Sequence, residues 1–189
     1  MFEKTNIAIV GATGAVGEVM LEILAARGVP AKNIFPLASE RSLGKQVSYG
    51  NNNIDVDDLA TFDFSKVQIG LFSAGASVSE VYAMKAAAAG CVVIDNTSHF
   101  RTRDDIPLVV SEVNPEKISE YVSTGIIANP NCSTMQMLVA LKPIHDAVGI
   151  ARINVATYQA VSGAGKKAIE DLVHQTSALL NGRPVKLTG

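Results

Sequence analysis

Several features are scarce or missing in this 189-residue sequence, and each absence narrows what the protein can be. The two cysteines are far apart and unpatterned, so neither a disulfide framework nor a metal site is predicted. A formal net charge of −2 offers no basic surface for nucleic acid. No apolar run is long enough to span a bilayer, and no signal peptide precedes the first predicted strand. We therefore expect a cytoplasmic protein with no metal, nucleic-acid or membrane partner.

The first motif is a glycine-rich turn between a predicted strand and a predicted helix. Residues 5–10 are predicted to form a short buried strand, and apolar residues recur at helical spacing after the turn. Gly11 permits a tight turn, Gly14 lets the backbone approach a pyrophosphate, and Gly17 lets the helix pack close to the sheet. The spacing is G-x-x-G-x-x-G rather than the commoner G-x-G-x-x-G. This pattern predicts a dinucleotide site, and the alternative is a glycine turn without a ligand.

The end of the second predicted strand, residues 33–38, bears on the choice of cofactor. Pro36 favours an irregular or edge-like position for this strand. In a dinucleotide site, an acidic residue after this strand binds the ribose 2′-hydroxyl, whereas an arginine accommodates a 2′-phosphate. Glu40 and Arg41 are both present. Because Arg41 is followed by the hydroxyl of Ser42, we favour NADP, and the alternative is a solvated loop charge.

The next stretch contains a predicted hairpin and a predicted buried strand. Residues 47–56 suggest a hairpin with a polar turn, and residues 57–58 are interpreted as its solvated acidic continuation. Residues 67–72 form another apolar run typical of a strand. A loop of small residues begins at Ser73, and such a loop allows a cofactor to approach closely.

The following strand leads to a candidate anion site. Cys91 begins this strand and is expected to lie in the core. Ser98 and Arg101 come after the strand, and a hydroxyl with a planar guanidinium can bind an anion together. The alternative is that Arg101 pairs with Asp104 or Asp105.

Cys132 lies where a predicted strand leads into a predicted helix, which is where an α/β protein presents groups to a ligand. Backbone N–H groups at a helix N-terminus stabilise a thiolate and an oxyanion, so Cys132 is a candidate nucleophile. The alternative is a small buried hydrophobic residue. Ser133 or Thr134 is a candidate helix cap. The helix is predicted to run to about His145, with Pro143 bending or ending it.

A change of pattern near the end of the chain suggests a second domain. Residues 152–157 alternate like a half-exposed strand, whereas the earlier strands are continuous apolar runs typical of a buried parallel sheet. The predicted fold is therefore α/β, a Rossmann-like doubly wound parallel sheet followed by the start of an α+β domain. We expect residues 1–131 to form an NADP-binding domain and residues 132–189 to begin the second domain. A glycine-rich turn at residues 162–165 leads into the last predicted helix.

Taken together, these stretches resemble the aspartate-β-semialdehyde dehydrogenase family. The likeness runs along the whole chain and is carried by residues 11–17, 41–42, 95–101, 129–134 and 159–165. It implies NADP as cofactor, a small-molecule substrate with phosphate, and a homodimer or tetramer for the full-length form. The implied reaction is reductive dephosphorylation of aspartyl phosphate to aspartate semialdehyde through a cysteine thioester. This reaction serves the biosynthesis of lysine, threonine, methionine and diaminopimelate.

The resemblance also implies a role for each candidate residue. Cys132 would be the nucleophile, and Gln159 would orient the substrate. The cofactor-binding residues would be Gly11, Thr13, Gly14, Ala15, Val16, Arg41, Ser42, Ser73, Ser162 and Gly163. The residues that bind the substrate phosphate would be Ser98, Arg101 and Asn131.

The proteins of this family are much longer than 189 residues, so the resemblance implies an amino-terminal half. The family's acid/base histidine, its substrate-carboxylate arginine and a phosphate-binding lysine would lie beyond Gly189, and none of His99, His145 and His174 sits in a matching motif. We therefore expect the isolated chain to bind NADP with little turnover. One alternative is N-acetyl-glutamyl-phosphate reductase, whose cysteine motif usually has glycine before the cysteine and an aromatic residue after it, unlike residues 131–133. The other is a nucleotide-binding module without catalysis.

Overall fold

The structure, a computed structural model, describes residues 3–185. Its strands are β1 (Ile7–Val10), β2 (Ile34–Ala38), β3 (Gln46–Tyr49), β4 (Asn52–Asp55), β5 (Asp57–Asp58), β6 (Ile69–Phe72), β7 (Val92–Asp95) and β8 (Ile126–Ala128). Its α-helices are α1 (Ala15–Ala26), α2 (Ala76–Ala88), α3 (Cys132–Val148) and α4 (Lys166–Leu180). None of these helices is both long and apolar enough to cross a membrane.

Six of the strands form one parallel sheet in the order β5-β2-β1-β6-β7-β8. β1 lies inside the sheet with β2 on one side and β6 on the other, so the strand order reverses at β1. In open α/β sheets, ligands bind outside the carboxyl ends of the strands at such a reversal. The topology confirms the predicted Rossmann-like α/β fold, and it places the turn that begins at Gly11 at this point.

The two faces of the sheet are covered by different helices. Ile7 and Ile9 of β1 belong to a buried cluster with Leu21 of α1. Ala8 and Val10 belong to another buried cluster, which includes residues of α2. Because successive side chains of a strand point to opposite faces, α1 and α2 lie on opposite sides of the sheet. This burial on both faces explains why the strands are continuous apolar runs.

One edge of the sheet differs from the prediction. Asp57 and Asp58 pair with Leu37 and Ala38 of β2, so they form an edge strand of the main sheet rather than a continuation of the hairpin, and Asp57 is exposed as expected. The pairing uses backbone groups alone, and charged side chains are common on edge strands because they discourage further pairing. Since β5 reaches only the end of β2, Pro36 has a strand neighbour on one side, in agreement with its expected edge-like position.

The predicted hairpin is confirmed, since β3 and β4 form a separate antiparallel pair. Val47 and Tyr49 of β3 are buried and belong to the same cluster as Leu21 of α1. The Tyr49 hydroxyl also donates a hydrogen bond to the Val29 carbonyl at 2.7 Å. The hairpin therefore packs against the outer side of α1.

The region after β8 departs from the prediction in two ways. The expected strand at residues 152–157 is wrong: these residues are exposed, and in the described part of the chain no strand pairs with them. A strand needs a hydrogen-bonded neighbour, which an alternating sequence pattern cannot supply by itself. Helix α3 continues through Pro143 to Val148 rather than ending near His145. Pro143 is exposed, so water can bond the helix carbonyl that this proline leaves without a partner.

Candidate functional site

The glycine turn after β1 is held tightly by backbone contacts. The N–H groups of Gly11 and Ala12 both donate to the Leu37 carbonyl of β2, at 2.9 and 3.2 Å. Gly11 has a φ of +90°, which favours glycine. A Cβ atom on Gly17 would lie 2.2 Å from the Gly11 carbonyl oxygen, so a side chain cannot fit there. The close packing predicted at Gly17 is therefore present, and it is made against the turn after β1 rather than against a strand.

Four helices begin around one cleft of about 490 Å³. Their N-cap residues are Gly14 for α1, Gly75 for α2, Asn131 for α3 and Gly165 for α4, and all of them line the cleft. Each helix N-terminus carries a partial positive charge and unpaired N–H groups. No carboxylate is among the described residues that line this cleft. The cleft therefore suits an anionic ligand that has more than one negative group.

Cys132 is the first residue of α3, and its side chain is exposed to this cleft. The Asn131 Oδ1 atom accepts hydrogen bonds from the Ser133 N–H at 3.0 Å and from the Ser133 hydroxyl at 2.7 Å. The cap is therefore Asn131, and the prediction of Ser133 or Thr134 is wrong because the helix begins earlier than expected. The Gln159 side-chain amide donates to the Cys132 sulfur at 3.8 Å. Cys132 thus combines helix amides with a side-chain donor, which suits a nucleophile.

Arg101 is fixed at the edge of the same cleft by two carbonyl groups. Its Nε atom donates to the Asn129 carbonyl at 2.8 Å, and one terminal nitrogen donates to the Asn96 carbonyl at 3.0 Å. A guanidinium has five N–H donors, so three remain for a ligand. Ser98 lines the cleft beside it, as the predicted anion site requires.

The alternative partner for Arg101, Asp104 or Asp105, is wrong. Asp105 pairs instead with Arg103, whose Nε donates to it at 2.8 Å. The hydrogen bond from Arg103 holds the pKa of the Asp105 carboxyl below its usual range. Because Arg103 and Asp105 are two positions apart on an exposed turn, this local pair forms, and no carboxylate within residues 3–185 pairs with Arg101.

A buried carboxylate organises the loop between β7 and Arg101. Asp95 ends β7 and is fully buried. It accepts hydrogen bonds from the Ser79 hydroxyl at 2.8 Å, from the Thr97 hydroxyl at 2.8 Å and from the Thr97 N–H at 3.2 Å. These bonds fix the loop whose Asn96 carbonyl receives Arg101. Asp95 therefore shapes the anion site from beneath.

The second cysteine has a different environment. Cys91 is buried in the core just before β7, as predicted. Burial raises the pKa of the Cys91 thiol to about 11, so this side chain stays neutral at ordinary pH. It contributes packing rather than chemistry.

Other cavities and side-chain clusters in the described chain have fewer features of a catalytic site. A larger cavity of about 780 Å³ lies between α1 and the hairpin, but its lining includes Glu18 and Glu22 and no cysteine. Within residues 3–185, no three His, Cys, Asp or Glu side chains are grouped so that they could hold a metal ion. The cleft beside Cys132 is therefore the candidate site.

Comparison with known proteins identifies the family. Residues 6–121 match the family described as "Semialdehyde dehydrogenase, NAD binding domain". The chain belongs to the semialdehyde dehydrogenase family. Residues 141–188 match a second description, "Semialdehyde dehydrogenase, dimerisation domain". The resemblance found in the sequence is confirmed, and the description of the first family indicates a nicotinamide cofactor.

Individual relatives agree with this family. The aspartate-semialdehyde dehydrogenase of Legionella pneumophila is 63% identical over 187 residues, which cover 99% of this chain and 54% of that protein. The crystal structure of aspartate semialdehyde dehydrogenase II complexed with ASA from Vibrio cholerae superimposes with a TM-score of 0.93 at 59% identity, covering 98% of this chain and 55% of that one. This chain spans about half the length of these relatives.

A more distant structure names a cofactor. Aspartate semialdehyde dehydrogenase with NADP from Candida albicans superimposes with a TM-score of 0.60 at 27% identity, covering 77% of this chain and 48% of that one. The shared fold therefore extends to distant members of the semialdehyde dehydrogenase family.

Most of the predicted site residues lie together in the cleft. Those that line it are Gly14, Ala15, Val16, Ser73, Ser98, Arg101, Asn131, Cys132, Ser162 and Gly163. Gln159 contacts Cys132, Gly11 forms the base of the turn, and Thr13 lines the adjoining cavity. Arg41 and Ser42 are not in the cleft lining; they follow β2 in a short 3₁₀ turn, with Arg41 exposed and Ser42 buried. The roles of all these residues stay predictions.

Several residues in or beneath the cleft were not predicted from the sequence. Asn96, Thr97 and Lys166 line it, and Asp95 supports it from beneath. An aspartate that ends a strand two residues before a threonine is a recognisable turn signal, which could have indicated the Asp95–Thr97 loop. Lys166 also had a signal, since a lysine at the first position of a helix opposes the helix dipole.

Proposed function

We propose that this chain supplies the nucleotide site and the nucleophile of an NADP-dependent aspartate-semialdehyde dehydrogenase. The observation that carries the proposal is that the Cys132 thiol opens into the same cleft as the glycine turn after β1. The reaction is reductive dephosphorylation of aspartyl phosphate to aspartate semialdehyde through a thioester on Cys132. The names of the Legionella and Vibrio relatives support this choice of substrate.

The charge around the cleft suits a dinucleotide. Four helix N-termini face it without an opposing carboxylate among the described lining residues, which favours a pyrophosphate. The backbone of Thr13–Val16 would hold that pyrophosphate, with Gly11 forming the turn beneath it and Ser73 beside it. Ser162 and Gly163 would contact the nicotinamide end. When bound, NADP⁺ supplies the acceptor for the hydride that the substrate carbon loses as the thioester on Cys132 forms.

The choice of NADP over NAD rests on the turn after β2. Arg41 is exposed and forms no ion pair within residues 3–185, so its guanidinium is available for a 2′-phosphate. Ser42 follows it in the same 3₁₀ turn. Because β1 and β2 are parallel neighbours, the turn that follows β2 and the glycine turn that follows β1 lie at the same end of the sheet. The NADP in the Candida relative agrees with this assignment.

The chemistry of Cys132 divides one difficult step into two easier ones. In the oxidative direction, its sulfur bonds to the aldehyde carbon of the substrate, and the carbonyl oxygen takes a proton to give a thiohemiacetal. After oxidation to the thioester, a phosphate oxygen attacks the same carbon. The carbon–sulfur bond breaks, the thiolate leaves, and aspartyl phosphate is released. The biosynthetic direction is the reverse, towards lysine, threonine, methionine and diaminopimelate.

Four side chains would hold the substrate around the sulfur. Gln159, whose amide contacts Cys132, would orient the substrate. Arg101 has donors left after bonding two carbonyls, and it would bind the substrate phosphate with Ser98. Asn131 uses its Oδ1 as the helix cap, so its side-chain nitrogen would be the group that meets the phosphate.

The domain division and the assembly are also proposals. We place the boundary between residues 1–131 and 132–189, at the start of α3, so that Cys132 begins the catalytic and dimerisation part. Several apolar side chains of α4 are exposed, among them Val173, Leu179 and Leu180. Such a face suits contact with another subunit, so we expect a homodimer or a tetramer.

Phosphate-dependent formation of NADPH from aspartate semialdehyde tests this function. It should be measured on this chain and on the longest product of its reading frame, with a Cys132→Ser variant of each as control. The proposal expects activity that disappears with Cys132→Ser, and we expect it mainly in the longer product. Activity in neither protein would contradict the proposal and favour N-acetyl-glutamyl-phosphate reductase or a module that only binds nucleotide.

A further inference from the structure

Lys166 joins two segments that are distant in the sequence. Its Nζ atom donates to the Thr13 carbonyl at 2.9 Å, 153 residues earlier, and forms an ion pair with the Glu18 carboxylate. Thr13 belongs to the glycine turn and Glu18 to the first turn of α1. The other ion pairs within residues 3–185 join side chains two to four positions apart. Lys166 therefore ties α4 to the glycine turn by a hydrogen bond and to α1 by an ion pair.

The position of Lys166 is not explained by helix stability. Helix α4 begins with Lys166 and Lys167, and its first turn contains no acidic residue. Positive charge at a helix N-terminus opposes the helix dipole, so these lysines disfavour the helix they begin. Glu18 is well placed for its own helix. Its ion pair with Lys166 therefore joins the start of α4 to the first turn of α1.

Lys166 also connects two turns that line the cleft. It lines the cleft together with Ser162 and Gly163, which lie in the 3₁₀ turn at Val161–Ala164 just before α4. Its partner Thr13 belongs to the glycine turn, whose Gly14 also lines the cleft. A movement of the start of α4 therefore changes the distance between the two turns.

We propose that Lys166 is a positioning residue for the dinucleotide, holding the nicotinamide end of the cleft at a fixed distance from the pyrophosphate turn. The inference rests on the proposed function, because it assumes that NADP lies across both turns. It predicts that Lys166 matters for a ligand that spans the cleft. A ligand confined to the adenosine end, near Arg41 and Ser42, should depend on it little.

The test compares NADPH with 2′,5′-ADP, which lacks the nicotinamide half. The substitution Lys166→Met removes the charge and the donor and keeps an apolar side chain of similar length. The dissociation constant of NADPH, measured by fluorescence titration, should rise about tenfold, as expected when a charged hydrogen bond is lost. The dissociation constant of 2′,5′-ADP, measured by calorimetry, should change less than about twofold. Lys167→Met is the matched control and should change neither value, since Lys167 is exposed and forms no ion pair in the described range.

Hydrogen exchange gives a second readout that needs no ligand. The Gly14 and Gly165 amides are hydrogen-bonded in the two turns, and both should exchange faster in Lys166→Met. Unchanged exchange, unchanged NADPH binding or an equal loss for both ligands would each overturn the inference. Failure of the unsubstituted chain to bind NADPH would overturn the proposed function instead, and faster exchange would still support the tie through Lys166.

Discussion

Cys91 and Cys132 lie at opposite ends of the strands of one parallel sheet. Cys91 precedes β7, at the amino ends of the strands, and Cys132 follows β8, at their carboxyl ends. Cys91 is buried, and a Cβ atom on Gly70 would lie 3.2 Å from its sulfur, which shows how tightly it is packed. Burial raises its pKa to about 11. Cys132 is exposed at the start of a helix and contacts the Gln159 amide.

The difference shows that position in the sheet decides what a cysteine does. When all strands are parallel, their carboxyl ends share one side of the sheet, and the helices that follow begin there. Helix N–H groups therefore gather beside Cys132, whereas Cys91 follows the C-terminal end of α2. The same side chain is a packing residue at one end of the strands and a candidate nucleophile at the other.

The largest expected effect is on catalysis. In the longest product of the reading frame, Cys132→Ser should lower the rate of phosphate-dependent NADPH formation by at least about 10³-fold, because serine is a far weaker nucleophile and leaving group. Cys91→Ala in the same protein is the control and should retain most of the activity. A similar loss in both variants would break the contrast between the two cysteines.

The next largest effect should be on phosphate binding by Arg101, which lies in the cleft beside Cys132. Arg101→Met should raise the KM for phosphate about thirtyfold, which corresponds to roughly 2 kcal/mol for a lost charged hydrogen bond. Arg103→Met is the matched control, since Arg103 pairs with Asp105 on an exposed turn. Steady-state kinetics with varied phosphate would show the difference. An equal change in both variants would argue against a phosphate site at Arg101.

A smaller effect should follow from the contact between Gln159 and Cys132. A Cβ atom on Gly163 would lie 2.1 Å from the Gln159 side-chain nitrogen, so Gly163→Ala should displace Gln159 from the sulfur. We expect the rate of NADPH formation to fall about tenfold.

The double variant distinguishes this cause from general damage to the turn. Gln159→Ala removes the atoms that the new methyl group would meet, so adding Gly163→Ala to it should cause little further loss. If the two losses multiply instead, Gly163 acts independently of Gln159.

The smallest expected effect is on the free energy of unfolding, and here the substitution of Cys91 should matter more than that of Cys132. Cys91→Ser should lower the free energy of unfolding by about 1–2 kcal/mol, because it buries a hydroxyl in an apolar site. Cys132→Ser should change it by less than about 0.5 kcal/mol, because its side chain is exposed. Urea unfolding of both variants measures this, and a larger loss at Cys132 would reverse the assignment of structural and chemical roles.

The parts that sequence could predict are those fixed by local pattern. The glycine turn, the buried strands and the position of Cys132 at a strand–helix junction all follow from residues close together in the chain. The glycine turn and Cys132 are expected to lie on the same side of the sheet by one further rule, because parallel strands have their carboxyl ends on that side. Ser98 and Arg101 could be placed near Cys132 for the same reason.

The parts that sequence missed depend on distant partners. Strand β5 exists because β2 offers it a backbone partner, and residues 152–157 remain without one in the described structure. The tie between Lys166 and Thr13 crosses most of the chain, so no local pattern contains it. The cap at Asn131 was missed for a different reason, since the start of a helix is uncertain by a few residues.

The most direct test of the account is the alkylation of each cysteine by iodoacetamide, followed by peptide mass spectrometry as pH is raised. The thiolate is the reactive form, and a raised pKa keeps Cys91 as the neutral thiol until pH approaches about 11. In the folded protein near pH 8, we predict that the exposed Cys132 is alkylated and that NADP⁺ with phosphate slows its reaction. Cys91 should stay unlabelled. Equal labelling of both cysteines, or a Cys132 that neither reacts nor responds to these ligands, would contradict the account.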